Sequence, residues 1–198
     1  MSAISAQLVK ELREKTGAGM MDCKKALVES EGDIGKAIEF LRKKGLDTAK
    51  KRAGRTTSEG TIQSYIHMGA KLGVMVEVSC ETDFVAKNDD FIEFAKNIAM
   101  HIAASNPLAI NADELSPDVI EKEKEIYQAQ VKEQGKPEAV RDKIVDGKLG
   151  KFMKENCLMD QAYVRDPDKT VADLLNELIA KIGENISIKR FVRFQVGE

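Results

Sequence analysis

Residues 71–80 read Lys-Leu-Gly-Val-Met-Val-Glu-Val-Ser-Cys, and this stretch decides the fold class. Every even position carries an apolar side chain, whereas the odd positions hold lysine, glycine, methionine, glutamate and serine. A period of two is typical of a strand with one buried face. Residues 60–68 predict a partner strand, and the Gly69-Ala70 step between the two favours a two-residue hairpin turn with glycine first.

Helical patterns follow this hairpin. An amphipathic stripe predicts a helix over 88–105, and a charged segment with a thin apolar stripe predicts a projecting helical hairpin over about 117–155, broken at Gln134-Gly-Lys-Pro137. A further helix runs from 171 to Gly183. The last strand should bury alternate residues, namely Ile186, Ile188, Val192, Phe194 and Val196. Strands separated by helices predict an α+β core, an antiparallel sheet packed with helices.

The first 45 residues predict a separate domain of three short helices, with Asp22 and Asp33 as N-caps and Gly45 just past the last turn. Seven basic residues and one acidic residue between Arg42 and Arg55 give that stretch a net charge of +6. We therefore expect three ranges: a three-helix partner-binding domain over 1–45, a basic linker over 46–58 and a core domain over 59–198.

Composition excludes several classes of protein. A chain of 198 residues can bury a core without disulfide or metal staples. It has no apolar stretch of about 18 residues and no secretory signal, so we expect no membrane contact and a cytoplasmic location. Its three cysteines, Cys23, Cys80 and Cys157, lie too far apart for a disulfide framework or a zinc site. An aromatic content of 5% without Trp argues against a stacking platform for nucleic acid.

No catalytic arrangement is visible. The two histidines, His67 and His101, lie in unrelated elements and neither accompanies a nucleophile motif or a zinc pattern. The Gly17-Ala-Gly19 turn lacks the strand and the Gly-Lys-Ser/Thr ending of a phosphate loop. The sequence predicts neither an enzyme nor a metal or cofactor site.

Two exposed-looking segments favour protein contacts instead. After the strand at 71–80, Thr82 and Asp83 can cap a following turn that presents Phe84 and Val85. These two side chains either fold inward as a hydrophobic staple or point outward as a wedge into another protein. In the tight turn after the first helix, Met20 and Met21 cannot both reach a small core, so at least one should be exposed.

The chain resembles the bacterial elongation factor Ts family in two long segments. These are Leu12-Arg-Glu-Lys-Thr-Gly-Ala-Gly-Met-Met-Asp-Cys-Lys-Lys-Ala-Leu27 and Glu77-Val-Ser-Cys-Glu-Thr-Asp-Phe-Val-Ala-Lys87. Ile182-Gly-Glu-Asn-Ile186 and the C-terminal Arg190-Phe-Val-Arg-Phe-Gln-Val-Gly-Glu198 are also similar to that family. The similarity covers essentially the whole chain in the right order.

The resemblance implies a ubiquitin-associated-like three-helix domain and an α+β core that together bind elongation factor Tu. It also implies guanine nucleotide exchange without covalent chemistry, in which a corner enters the nucleotide domain near its magnesium site. The residues of that corner here would be Thr82, Asp83, Phe84 and Val85, with Phe84 pointing outward. Further contacts would come from Arg13, Met20, Met21 and His67.

The chain differs from the longest members of that family in having one hairpin core instead of two. A homodimer could rebuild the missing pair through an exposed sheet edge. The alternative function is an RNA-associated or ubiquitin-like protein-binding module, which the +6 stretch and the three-helix N-terminus motivate.

Overall fold

The structure is a computed structural model that describes residues 4–198. Within that range the chain forms eight α-helices, five strands and two short 3-10 turns, an α+β arrangement as predicted. The helices are α1 (Ala6–Thr16), α2 (Met20–Glu29), α3 (Ile34–Arg52), α4 (Asp83–Ala86), α5 (Asp89–Ser105), α6 (Pro117–Glu133), α7 (Glu138–Asn156) and α8 (Val171–Ile182). The strands are β1 (Glu59–Ile66), β2 (Leu72–Cys80), β3 (Ala162–Tyr163), β4 (Asp166–Thr170) and β5 (Ile186–Gln195).

Helices α1 to α3 pack around a small apolar core, which includes Leu12, Cys23 and Leu27 at no solvent exposure. Gly17 ends α1 in the left-handed conformation (φ +66°), which a residue without Cβ adopts at little cost. Asp33 is the N-cap of α3, as predicted, because its side chain accepts the N–H of Lys36 at 3.0 Å. The N-cap predicted at Asp22 is wrong, since α2 begins at Met20 and its N-cap is Gly19.

The predicted end of α3 at Gly45 is also wrong, because the helix continues to Arg52. Gly45 is buried inside the helix, and a Cβ added there would lie 3.3 Å from the Cβ of Ala180 in α8. The glycine therefore permits a close approach between two helices and does not end one. Residues 46–52, which we expected in the linker, are the last two turns of α3, and the three predicted domain ranges stay a prediction.

Strands β1 and β2 form the predicted hairpin, and the antiparallel sheet has the order β1-β2-β5. Val74, Val76, Val78 and Cys80 are buried, which confirms the period of two. The expected two-residue turn is wrong. His67 donates its N–H to the Leu72 carbonyl, so four residues form the loop, and both Gly69 (φ +87°) and Ala70 (φ +53°) have left-handed backbone.

Strand β5 buries its apolar residues only in its first half. Ile186 and Ile188 are 2% and 7% exposed. Val192, Phe194 and Val196, predicted to point inward, are exposed. The parity changes after Lys189 and Arg190, two consecutive exposed residues, so that the odd positions of the second half become the less exposed ones.

The helical hairpin of α6 and α7 is confirmed, with Gln134–Pro137 as its turn. Its own core consists of Val131, Val145 and Leu149. In α5, the buried imidazole of His101 donates from Nε2 to Gln161 Oε1 (2.9 Å) and accepts the N–H of Val164 at Nδ1 (3.3 Å). This places a satisfied neutral histidine in the interior.

The chain divides into two compact units. One unit takes residues up to 63 together with 77–95 and 173–189, and the other takes 64–76, 96–172 and 190–198. No helix of the described residues is long and apolar enough to cross a membrane.

Candidate protein-binding site

The corner between β2 and α5 is the site that the sequence singled out. Its four residues lie together, because α4 is a single helical turn that begins directly after Thr82. The Thr82 side chain is the N-cap and accepts the N–H of Val85 at 3.5 Å. Phe84 is 82% exposed, whereas Val85 is partly buried. Of the two orientations that the sequence left open for Phe84, the structure therefore has the outward one.

The Asp83 carboxylate lies beside Phe84 and pairs with one cation. Lys87 Nζ lies 2.8 Å from Asp83 Oδ2, one turn further along the helix. This hydrogen bond and the charge of Lys87 lower the pKa of Asp83 below its ordinary value. Asp83 is therefore ionised at neutral pH, so the corner presents an aromatic ring next to a carboxylate that is paired with Lys87.

A loop distant in sequence fixes the backbone of the corner. The Glu184 carboxylate accepts the N–H groups of Glu81 (3.1 Å) and Thr82 (3.0 Å) and the hydroxyl of Thr82 (2.7 Å). In the other direction, the Glu81 carboxylate accepts the N–H of Asn185 at 2.6 Å. That hydrogen bond, followed by the charge of Arg55, lowers the pKa of Glu81. We call Glu81, Thr82, Glu184 and Asn185 the carboxylate clamp.

Cys80 adds a further contact to the clamp from the end of β2. Its thiol donates to the Thr82 carbonyl at 3.2 Å. Burial, and then the negative charge of Glu184, raise the pKa of the Cys80 thiol to about 11. A thiol with that pKa is protonated and unreactive at neutral pH, so Cys80 acts as a buried donor.

Sequence reasoning missed Glu184, Asn185 and Arg55. The available signal was the segment 182–186, where two polar residues stand between a helix-ending glycine and a buried strand residue. A connection that short cannot extend far from the packed elements on either side. The sequence does not show which carboxylate accepts from which backbone N–H, because the partners are more than 100 residues apart.

The second predicted group lies around the turn between α1 and α2. Met20 and Met21 are 61% and 74% exposed, and Arg13 is exposed on α1. Adjacent methionines on the first turn of a helix thus both face solvent. Two exposed thioether side chains are typical of a contact surface that adapts to its partner.

His67, the remaining candidate, lies in the other compact unit, directly before the four-residue hairpin loop. It is exposed, and its Nδ1 lies 3.0 Å from the hydroxyl of Tyr65. Among residues 4–198 there is no group of three or more His, Cys, Asp or Glu side chains that could hold a metal ion.

Comparisons with known proteins match the chain to one family over nearly its whole length. The family model described as Elongation factor TS matches residues 3–198. The proteins named Elongation factor Ts of Desulfosudis oleivorans and Desulfotalea psychrophila are 64% and 65% identical over 198 and 195 residues. The first alignment covers 100% of both chains and the second covers 98% of this chain and 99% of the relative. A third protein of that name, from Caldanaerobacter subterraneus, is 62% identical over 98% of each chain. The chain belongs to the elongation factor Ts family.

Proposed function

We propose that this chain is a guanine nucleotide exchange factor that binds elongation factor Tu with GDP, disturbs its magnesium and phosphate site, and promotes GDP release. Its family makes it a translation elongation factor. One observation carries the finer proposal: Phe84 is 82% exposed on a one-turn helix whose preceding residue is fixed by hydrogen bonds. An aromatic side chain held out on a rigid support is what an interface hot spot requires.

The wedge acts by binding and needs no covalent step. Mg²⁺ bound to a nucleotide is held partly by phosphate oxygens and partly by protein oxygens. Moving the protein oxygens therefore weakens the binding of both the Mg²⁺ ion and the nucleotide. Phe84 would enter between two helices of elongation factor Tu, and the negative charge of Asp83 would support the rearrangement. A factor that prefers the nucleotide-free partner must weaken nucleotide binding by the same ratio.

The three-helix region supplies the second contact in this proposal. Arg13, Met20 and Met21 would hold elongation factor Tu while the corner acts, and His67 would be a secondary contact. Two separated contacts on one partner raise the effective concentration of each. The protein would work in the cytoplasm, where translation takes place.

The alternative of an RNA-associated module gains no support from the basic stretch. Arg42 pairs with Asp173 at 2.8 Å, Lys44 pairs with Asp22, and Arg55 lies 3.4 Å from Glu81. Three of its seven basic side chains thus pair with carboxylates of the same chain. They are not a free row of cations for phosphates.

The test is the release of labelled GDP from elongation factor Tu. We expect the protein to accelerate release, and to form a complex with nucleotide-free elongation factor Tu that GDP dissociates. Phe84→Ala should slow release without unfolding the protein, because its side chain is mostly exposed. Release at the wild-type rate by this variant would contradict the wedge, and salt-sensitive RNA binding that survives Phe84→Ala would favour the alternative.

We also propose that two chains pair through the β1-β2-β5 sheet, whose edges are β1 and β5. Support comes from apolar side chains exposed on the hairpin end and on the second half of β5, namely Ile66, Met68, Met75, Val192, Phe194 and Val196. Light scattering should give twice the mass of one chain, and Phe194→Ser should shift it toward one chain. A single-chain mass for the wild type at micromolar concentration would refute the pairing.

A further inference from the structure

We propose that Glu184 is the positioning residue of the exchange site: its carboxylate holds Thr82 so that α4 presents Phe84 in one orientation. This inference rests on the proposed function, because Glu184 acts through Phe84 and is not itself placed against elongation factor Tu. Nothing in the sequence motif around Phe84 points to it, since the two residues are 100 positions apart.

Three donors converge on this one side chain. Glu184 Oε2 accepts two consecutive backbone N–H groups, those of Glu81 and Thr82, and Oε1 accepts the Thr82 hydroxyl at 2.7 Å. Hydrogen bonds to a carboxylate are about twice as strong as those between neutral groups. The arrangement satisfies the two N–H groups at the end of β2, where the chain leaves the sheet.

Glu184 is itself held at both sides. Before it, Gly183 ends α8 with left-handed backbone (φ +87°) and donates its N–H to the Ile179 carbonyl at 2.9 Å. After it, the N–H of Asn185 is bound by Glu81, and Ile186 is buried at the start of β5. The carboxylate therefore stands on a short connection between two packed elements.

The clamp also sets the orientation of the N-cap. Because the Thr82 hydroxyl donates its hydrogen to Glu184, the same oxygen presents a lone pair to the N–H of Val85. The Thr82 carbonyl is fixed as well, accepting from Cys80 Sγ at 3.2 Å and from the N–H of Ala86 at 3.2 Å. Every polar group of Thr82 thus has a partner, while the next-but-one side chain, Phe84, is left in solvent.

This division between a fixed support and a free ring has a consequence for binding. A backbone segment that is ordered before association costs less to immobilise at the interface. Replacing Glu184 by Gln keeps the shape but removes the charge and turns one acceptor into an NH₂ donor. The amide oxygen can still accept the two N–H groups, but the NH₂ can only donate to Thr82 Oγ1, so the clamp loses its charge and the hydrogen bond from the hydroxyl to the carboxylate.

The experiment compares wild type, Glu184→Gln and the charge-matched control Glu125→Gln, which changes an exposed residue in the middle of α6. Amide hydrogen exchange of the free protein reports on the clamp without any partner. The rate of GDP release from elongation factor Tu at increasing factor concentration reports on the function. Phe84→Ala and the double variant Phe84→Ala, Glu184→Gln complete a double-mutant cycle.

We expect the Glu81 and Thr82 amides of Glu184→Gln to exchange about ten-fold faster or more, as local opening becomes easier. At limiting factor concentration, GDP release should fall by about ten-fold, the loss typical of a hydrogen bond to a charged group. The maximal rate at saturation should fall less, since elongation factor Tu can still order the corner after binding. In the Phe84→Ala background the same change should have almost no effect, because the ring it positions is gone.

Each other result decides a different point. If Glu184→Gln behaves as Glu125→Gln in release while Phe84→Ala is slow, the positioning role is wrong and the proposed function stands. Additive losses in the double variant also overturn it, since Glu184 would then act elsewhere. Wild-type release by Phe84→Ala overturns the proposed function itself. Should Glu184→Gln fail to fold by circular dichroism, Glu184→Asp keeps the charge with a shorter reach and should show a smaller loss in the same assays.

Discussion

Gly60 provides the sharpest test of how the sheet supports the corner. It lies near the start of β1, where a Cβ would come 2.3 Å from the Val78 carbonyl oxygen and 2.8 Å from Ser79 Cα. Both atoms are backbone, so no flexible side chain can move aside. We therefore predict that Gly60→Ala forces β1 away from the end of β2, immediately before the clamp begins.

The expected cost follows from that geometry. The added contact is about 0.7 Å shorter than the 3.0 Å below which real Cβ contacts essentially never occur. Overpacking of this kind costs about 3 kcal/mol, at the upper end of the usual range. For a chain of this size each kcal/mol lowers the melting temperature by about 2–4 °C, so the midpoint should fall by about 6–12 °C.

The assay is thermal and urea unfolding followed by far-ultraviolet circular dichroism, since the chain contains no Trp. Gly69→Ala is the matched control, because Gly69 also has a positive φ (+87°) but nothing lies within 4 Å of its added Cβ. That variant should lose only about 1 kcal/mol, from backbone strain. A Gly60→Ala midpoint no lower than that of the control would refute the close approach of β1 to Val78 and Ser79.

Three further predictions concern other parts of the molecule. Gly147→Ala, inside α7 with open space at its Cβ, should raise stability by about 0.5–1 kcal/mol, and an unchanged urea midpoint would contradict this. Burial lowers the pKa of His101 below 6.5, so the neutral imidazole stabilises the fold above that pH and the stabilisation is lost as the pH falls. Unfolding free energy measured between about pH 7 and pH 5 should therefore decline more steeply for the wild type than for His101→Gln, and equal slopes would refute the assignment. Met21→Ser should weaken binding to elongation factor Tu about ten-fold or more, as measured by calorimetry, through lost apolar burial. Val28 is an exposed residue near the end of α2, and Val28→Ser should not weaken binding. Equal losses in the two variants would mean that the contact extends to the end of α2.

Sequence patterns predict helices and strands correctly where a residue pattern has a single physical cause. The alternation in 71–80 reports burial on one face of β2, and the break at Gln134–Pro137 reports a turn between two helices. The prediction at Gly45 is wrong because a glycine suits both a helix end and a close helix contact. Only the position of Ala180, far away in the chain, decides between these.

The candidate site was predictable in part for the same reason. Resemblance identified the four corner residues, and the exposure of Phe84 agrees with the outward orientation that it implied. Glu184 was not predictable, since its role depends on the end of α8 lying next to the end of β2. The exposed second half of β5 was missed because Val192 and Phe194 keep a strand pattern after the parity of burial has changed.

The clamp also has a consequence for how the protein is made. The unit that contains the corner takes chain segments up to 63, from 77 to 95 and from 173 to 189. A nascent chain emerges from its N-terminus onward, and contacts of such sequence separation form late. Thr82 therefore leaves the ribosome roughly 100 residues before Glu184, and until then the N–H groups of Glu81 and Thr82 lack their carboxylate acceptor. The corner acquires its fixed form only after Glu184 has emerged, so a chain interrupted before that residue carries Phe84 on a segment without its support.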